Sequence, residues 1–303
     1  MLSICIPVYN FNVSIFVEEL NEQSIGLKVP CEIILIDDCS SSEYKKINES
    51  TCTKHRYIEL DKNIGRSRIR NLFLNYAQYE HLLFIDCDSS LISDTFLSTY
   101  IQTIENTTEQ VICGGSIYDS IKPKRNKILR WKYGIKRETT SFHITDNKID
   151  KGFMTNNFLI SKKLFKEIKF DERISKYGHE DTLFGYELKT KGIKIKHINN
   201  PVLNSDIDEN SSFLKKTKQG IINLVAILAY VDYNPEFIQE VSLLRFYEKL
   251  NAKKSIPVIS FIFTLFKPFI KYLLVQGYVN LYLFDFYKLG ILIQVIKKPK
   301  TTK

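Results

Sequence analysis

The sequence predicts an α/β fold with a mostly parallel central sheet, extended at its C-terminal end by helices. Two observations predict the sheet. Strand-length apolar runs alternate with helix-compatible stretches through the first ninety residues, and each run ends in a polar turn. A third predicts the extension: from about residue 206 the strand cadence gives way to longer amphipathic and charge-free stretches.

Residues 2–8 are a short β-rich run closed by Pro7-Val8-Tyr9-Asn10. Val13, Phe16, Val17 and Leu20 fall at helix-face spacing within residues 13–23. A second buried strand over 32–36 ends in Asp37-Asp38-Cys39-Ser40. A short helix over 43–50, a strand over 57–60, a loop over 61–65 containing Gly65, and a basic helix from 66 to 79 follow. The next strand, 82–85, ends abruptly in Asp86-Cys87-Asp88. This cadence is that of a doubly wound sheet.

Past Asp88 the pattern is less regular. A helix is expected over 93–105 and one glycine-containing strand over 111–118. Residues 119–150 read as polar, basic loop around Trp131. A loop enters a strand over 152–160, with a short helix over 162–169. Tyr177-Gly178-His179-Glu180-Asp181 opens a helix that Gly192 closes, and a strand begins at 193. In the extension, helices are expected over 213–230 and 235–250. Charge-free runs over 255–266 and 272–284 are separated by Lys267, Pro268 and Lys271. Each falls short of the ~18–20 residues that cross a bilayer.

The net charge of +9 is unevenly placed: residues 251–303 hold nine lysines against Asp285 alone, so the body is nearly neutral. This argues against a nucleic-acid-binding body and for a tail facing an anionic surface. All six cysteines lie in the first 113 residues without a CxxC pair, as expected for reduced, packed thiols in the cytoplasm. The opening MLSICIPVYN lacks the basic region and cleavage site of a signal peptide.

A parallel sheet gathers strand ends on one edge, so Pro7–Asn10, Asp37-Asp38, residues 61–65 and Asp86–Asp88 are expected to line one cleft. There is neither a GxGxxG after the first strand nor a GxxxxGK[ST], which disfavours a dinucleotide fingerprint or a Walker loop. Two aspartates separated by one residue repel unless a cation, hydroxyl or water neutralises them. Mg²⁺ or Mn²⁺ commonly takes one or two carboxylates together with phosphate oxygens. On these residues alone, an acidic solvated turn and a metal–diphosphate anchor both remain open.

The ordered set SICIPVYN, ILIDDCS, DKNIGRSRIRN, FIDCD and GHEDTLFGYEL resembles the glycosyltransferase family 2 pattern over roughly residues 1–205. The resemblance implies the GT-A fold, a nucleotide-binding αβα sandwich, as the catalytic domain over 1–205, with residues 206–303 as the helical extension. It implies inverting transfer of a sugar from a nucleotide diphosphate sugar, a UDP-sugar by preference, assisted by Mn²⁺ or Mg²⁺. Pro7 and Tyr9 then match the turn packing on the base, and Asp38 the acid accepting its N–H. Asn63, Gly65 and Arg70 fall in the segment that completes the nucleotide pocket, with Arg66 or Arg68 as the alternative contact to phosphate. Asp86 and Asp88 match the DxD motif, with Asp88 the direct metal ligand and Asp86 contacting ribose or supporting the metal site. Gly152, Thr155, Asn156 and Asn157 match the loop near donor sugar and acceptor, joined by Glu180. Asp181 matches the general base.

The resemblance departs at Asn204, where relatives often carry a metal-ligating His; Asp206 and His197 are the nearby substitutes. No QxxRW follows Asp181, so a single-sugar transferase is expected rather than a processive synthase. The implied partners are a nucleotide-sugar donor and a glycan or lipid-linked acceptor. The basic, aromatic tail suits docking on the inner face of an anionic cytoplasmic membrane. Two other readings stay open: a pseudo-transferase that binds without turnover, and a nucleotidyltransferase. The latter lacks its glycine-rich basic loop, since PVYNFN stands in that position.

Overall fold

The computed structural model describes residues 1–139, 153–174 and 176–297. Its strands are β1 (Leu2–Val8), β2 (Cys31–Asp37), β3 (Arg56–Glu59), β4 (His81–Ile85), β5 (Ser89–Ser90), β6 (Val111–Cys113), β7 (Ser116–Tyr118), β8 (Asn157–Ser161), β9 (Ile195–His197) and β10 (Val202–Asn204). Helices α1 (Ser14–Ile25), α2 (Ser42–Thr51), α3 (Arg66–Leu72), α4 (Phe96–Glu105), α5 (Ile128–Tyr133), α6 (Lys162–Glu167) and α7 (Glu180–Thr190) intersperse them. Then come α8 (Asn210–Tyr230), α9 (Pro235–Glu240), α10 (Ser242–Ala252), α11 (Ile256–Val275) and α12 (Leu281–Ile296).

The chain forms two compact units. The first holds residues 1–119, 137–175 and 180–206; the second holds 120–136, 176–179 and 207–303. The loop-like region expected over 119–150 therefore contributes a helix, α5, to the second unit. Gly152 lies outside the described residues.

The first unit is built on a seven-stranded sheet in the order β3-β2-β1-β4-β8-β6-β9. β1 pairs in parallel with β2 and β4, while β8 runs antiparallel to both β4 and β6. Successive side chains of one strand feed opposite cores. Leu83 and Ile85 join Leu2, Ile4, Ile6 and Val8 on one face; Leu82 and Phe84 join Cys5, Ile34 and Ile36 on the other. Burial on both faces is why these strands read as unbroken apolar runs rather than alternating ones. The expected strand 111–118 is two, β6 and β7, broken at Gly114-Gly115. A Cβ at Gly114 would meet the Tyr100 hydroxyl, Asn157 Nδ2 and the Asn200 carbonyl at 2.4, 2.5 and 2.6 Å. A second sheet, β5-β10-β7, carries the chain just past Asp88.

An aromatic cluster seats α7 on this unit. Phe184 stacks on Phe170 at 4.2 Å, and Phe158 on Phe84 at 4.9 Å. Phe153 meets Phe158 edge-on and lies against Gly185, where a Cβ would stand 2.8 Å from that of Phe153. The start of α7, with Glu180 and Asp181, is thereby fixed on a rigid support.

In the second unit the expected helix over 235–250 is interrupted at Val241, whose extended backbone separates α9 from α10. The two short apolar runs expected beyond residue 255 are corrected more substantially. α11 continues through Lys267, Pro268 and Lys271 for 20 residues, long and apolar enough to cross a membrane by length and composition. Its inner stripe, Ile256, Phe263, Ile270 and Leu274, is buried. Phe263 packs on Phe286 and Tyr287 and against Gly290, which leaves no room there for a Cβ. Asn223 Nδ2 donates to the carbonyls of Lys176, Tyr177 and Gly178, tying that short segment to α8.

Candidate active site

The turns after β1 and β2 clasp one another. Ser40 Oγ accepts from the Asn10 amide at 2.8 Å, and Asn10 Oδ1 accepts from Ser41 at 2.8 Å. Pro7 is half-buried, and Tyr9 stands 53% exposed at the rim of the turn, its ring open to solvent. Asp37 is fully buried, accepting from the Ser40 amide at 2.6 Å and the Tyr57 hydroxyl at 2.8 Å.

Asp38 organises the next turn. Its two carboxylate oxygens accept the amides of Ile64 at 2.7 Å and Gly65 at 3.0 Å, and its carbonyl accepts from Asn63 Nδ2 at 3.1 Å. Burial raises its pKa, opposed by those two amides. Gly65, at φ 83° and ψ 168°, occupies a region essentially closed to other residues, which lets the chain turn into α3.

The three arginines of α3 separate by environment. Arg68 lies 3.7 Å from Glu172 and half its side chain is exposed. Arg66 Nη1 lies 3.6 Å from Glu180 Oε1. Arg70 is 2% exposed; its Nη2 donates to Asp86 Oδ1 at 2.8 Å, and its Nη1 lies 4.0 Å from Glu180 Oε1. Two acidic pairs, Asp86 with Asp88 and Glu180 with Asp181, are thus joined by Arg66 and Arg70. Sequence reading assigned Arg70 to the nucleotide pocket and missed this bridge, because ion pairs 16 and 110 positions apart leave no local spacing signal. Asn71 was missed for the same reason: its amide group clamps the backbone of Phe170 at 2.9 Å in both directions.

Asp88 and Asp181 are the perturbed members of their pairs. The Asp88 carboxyl is pushed up to about 6, chiefly by burial and then by the charge of Asp86, with Arg66 opposing and Asp206 adding to the rise. The Asp181 carboxyl is likewise pushed up to about 6 by burial and then by Glu180, while Thr182 and Arg70 oppose. Its Oδ1 accepts from the Thr182 amide at 2.7 Å. A carboxylate near pH 6 in a half-buried setting is suited to proton abstraction.

On the opposite side, the Asp86 amide donates to the Asn156 carbonyl at 3.2 Å. Asn156 Oδ1 is buried without a partner, so this side chain has an acceptor to offer. Asn157 differs: it is 1% exposed, accepts from the Tyr100 hydroxyl, and donates to the Gly115 and Asn200 carbonyls. It has no donor left for a sugar, and the geometry gives it a structural task. Thr155 is buried beside them.

Asp86 and Asp88 fit a divalent cation by chemistry. They are hard oxygen donors, and Asp88 is pushed up by burial and then by the charge of Asp86, which a cation would relieve. Asn204 lies in β10 opposite Ser89, and its amide donates to the Ile117 carbonyl at 3.4 Å. No three His, Cys, Asp or Glu side chains converge as a metal cage among the described residues.

Residues 3–169 match the family described as "Glycosyl transferase family 2". The chain belongs to that family. It is 25% identical to the chondroitin synthase of Pasteurella multocida over 223 residues, covering 63% of this chain and 23% of that protein. It is 27% identical to the cholesterol galactosyltransferase of Borreliella burgdorferi over 183 residues, 56% of this chain and 50% of that one. The chain spans about a fifth to a third of the length of the chondroitin and hyaluronan synthases it matches. Among solved structures, glucosyl-3-phosphoglycerate synthase from Mycobacterium tuberculosis aligns with a TM-score of 0.51 at 14% identity, covering 75% of this chain and 78% of that one. That structure is a complex with Mn²⁺, UDP and phosphoglyceric acid. A Pyrobaculum calidifontis mannosyltransferase with GDP-mannose and Mn²⁺ aligns at 0.51 and 13% identity, over 95% and 86% of the two chains. These likenesses establish the GT-A fold of this family 2 chain.

Proposed function

We propose that this family 2 chain transfers a single sugar from a nucleotide diphosphate sugar, UDP-linked by preference, to an acceptor hydroxyl with inversion. The observation that carries the reading is the Asp181 carboxyl, raised to about 6, in an arginine-bridged site with the Asp86–Asp88 pair. Asp181 removes the acceptor proton as the hydroxyl attacks the anomeric carbon, so one displacement suffices and no enzyme nucleophile is needed. Asp88, with Asp86 supporting it, would hold Mn²⁺ or Mg²⁺, and a cation bound there would supply charge neutralisation for a diphosphate leaving group. Arg70 keeps Asp86 oriented, and burial first, then the nearby charge of Glu180, keeps Asp181 basic.

Asp38, Asn63 and Gly65 shape the base pocket through the Asp38-centred turn, with Pro7 and Tyr9 forming its other wall. Asn156 Oδ1, buried and unpartnered, is the loop acceptor assigned to the sugar hydroxyls, with Thr155 in the same loop. Mn²⁺ and nucleotide in the complexes of the structural neighbours agree with this use of the site. The acceptor is a glycan or lipid-linked hydroxyl presented at the cytoplasmic face of an anionic membrane. Asn204 in place of a His favours a second reading, nucleotide binding without turnover. Release of UDP from a panel of UDP-sugars, with and without Mn²⁺, separates the two: a transferase releases UDP from at least one donor, whereas a binding protein retains affinity and releases none.

A further inference from the structure

α11 is apolar on both sides. Its inner stripe is consumed by packing within the second unit, but Val258, Phe261, Ile262, Leu265, Phe266, Phe269 and Tyr272 form an outward face, each between 42 and 72% exposed. They recur at helix-face spacing along about four turns and so line one side of the helix. Together they present on the order of 700 Å² of apolar surface, beyond the few hundred common on soluble monomers. Neither α11 nor its immediate flanks carries an acid, whereas Lys253 and Lys254 stand exposed just before it and Lys271 near its end.

We infer that this face of α11 is a docking surface for an anionic lipid bilayer, with the helix lying in the plane of the headgroup region. Helices of this kind sink their apolar side roughly 5–10 Å into the headgroup–acyl boundary, with lysines meeting lipid phosphates. The inner stripe decides against a span. Phe263 is locked against Gly290, and Lys267 Nζ donates to Gln294 Oε1 at 2.7 Å, so inserting α11 across the bilayer would tear out this unit's own core. Charge decides against a second copy. Pairing two such faces in either direction would set lysine rim against lysine rim with no acid on α11 to meet them. The inference deepens the membrane reading above; the sugar-transfer reading can fail without it.

The test is co-sedimentation of the full chain with vesicles of phosphatidylcholine, with and without phosphatidylglycerol, alongside Phe261→Glu/Leu265→Glu and Lys253→Glu/Lys254→Glu. The four positions are exposed, so the substitutions disturb no buried packing, and circular dichroism and thermal melts of each variant are recorded in parallel as the folding control. Expected are binding to the anionic vesicles, a loss of about tenfold or more in the aromatic variant, and a several-fold loss in the lysine variant and at high salt. Unchanged vesicle binding in the aromatic variant overturns the inference. So does wild-type binding that resists alkaline carbonate, which marks a span. Self-association without vesicles that the aromatic variant abolishes also overturns it, in favour of a second copy.

Discussion

Arg70 Nη2 sits 2.8 Å from Asp86 Oδ1 with its side chain 2% exposed, making a buried charge the hinge between the two acidic pairs of the site. Removing one partner of a buried pair leaves the other uncompensated. Arg70→Met is expected to lose about 3–5 kcal/mol in urea unfolding, far more than Arg68→Met, whose guanidinium is half exposed. Equal midpoints for the two variants would contradict the bridge.

Asp181→Asn keeps the acceptor oxygen for the Thr182 amide but removes the proposed base. Turnover is expected to fall by about 10²–10⁴, with UDP affinity held within a factor of about two. Calorimetric titration with UDP and Mn²⁺ checks the second half, so lost activity through misfolding is recognised.

The pH behaviour follows from the raised Asp181 carboxyl. A base must be ionised, so kcat/KM is expected to rise with pH through a limb near 6. Stability runs the other way. A carboxyl whose folded value exceeds the ordinary 3.8 contributes stability at low pH that is lost as pH rises through about 6. Asp181→Asn is therefore expected to be more stable than the parent at pH 7.5, by on the order of 2 kcal/mol, with the gain shrinking towards pH 5. Thermal melts at the two pH values measure it.

Asn157→Ala would strand the Tyr100 hydroxyl and take a donor from the Asn200 carbonyl, while the Gly115 carbonyl keeps the Val202 amide at 3.2 Å. A cost of roughly 3 kcal/mol is expected, with the UDP affinity of the folded fraction unchanged. A variant that folds normally but loses donor binding would return Asn157 to the sugar loop.

Much of the first unit was legible in the sequence because β1, β2 and β4 are buried on both faces, and each apolar run stops where the sheet edge meets solvent. Leu2–Val8 matches its expected bounds residue for residue. The break at Gly114-Gly115 was not legible, since it is forced by Tyr100, Asn157 and Asn200 from distant segments. Pro268 misled in a different way. A proline commonly ends a helix, yet α11 continues through it because the buried Phe263, Ile270 and Leu274 straddle that turn. At the site, acidic strand ends and the Glu180-Asp181 step were visible as motifs. The arginine bridge, the satisfied state of Asn157 and the buried, unpartnered oxygen of Asn156 depend on three-dimensional neighbours and were not.

Asp181 is proposed to drive sugar transfer together with the Asp86–Asp88 pair. The most direct test is Mn²⁺-dependent release of UDP from a donor panel by the parent chain and by Asp181→Asn. Release from at least one donor is expected to collapse in the variant while UDP binding persists; equal turnover in both proteins, or no release from any donor, would rule out Asp181 as the base.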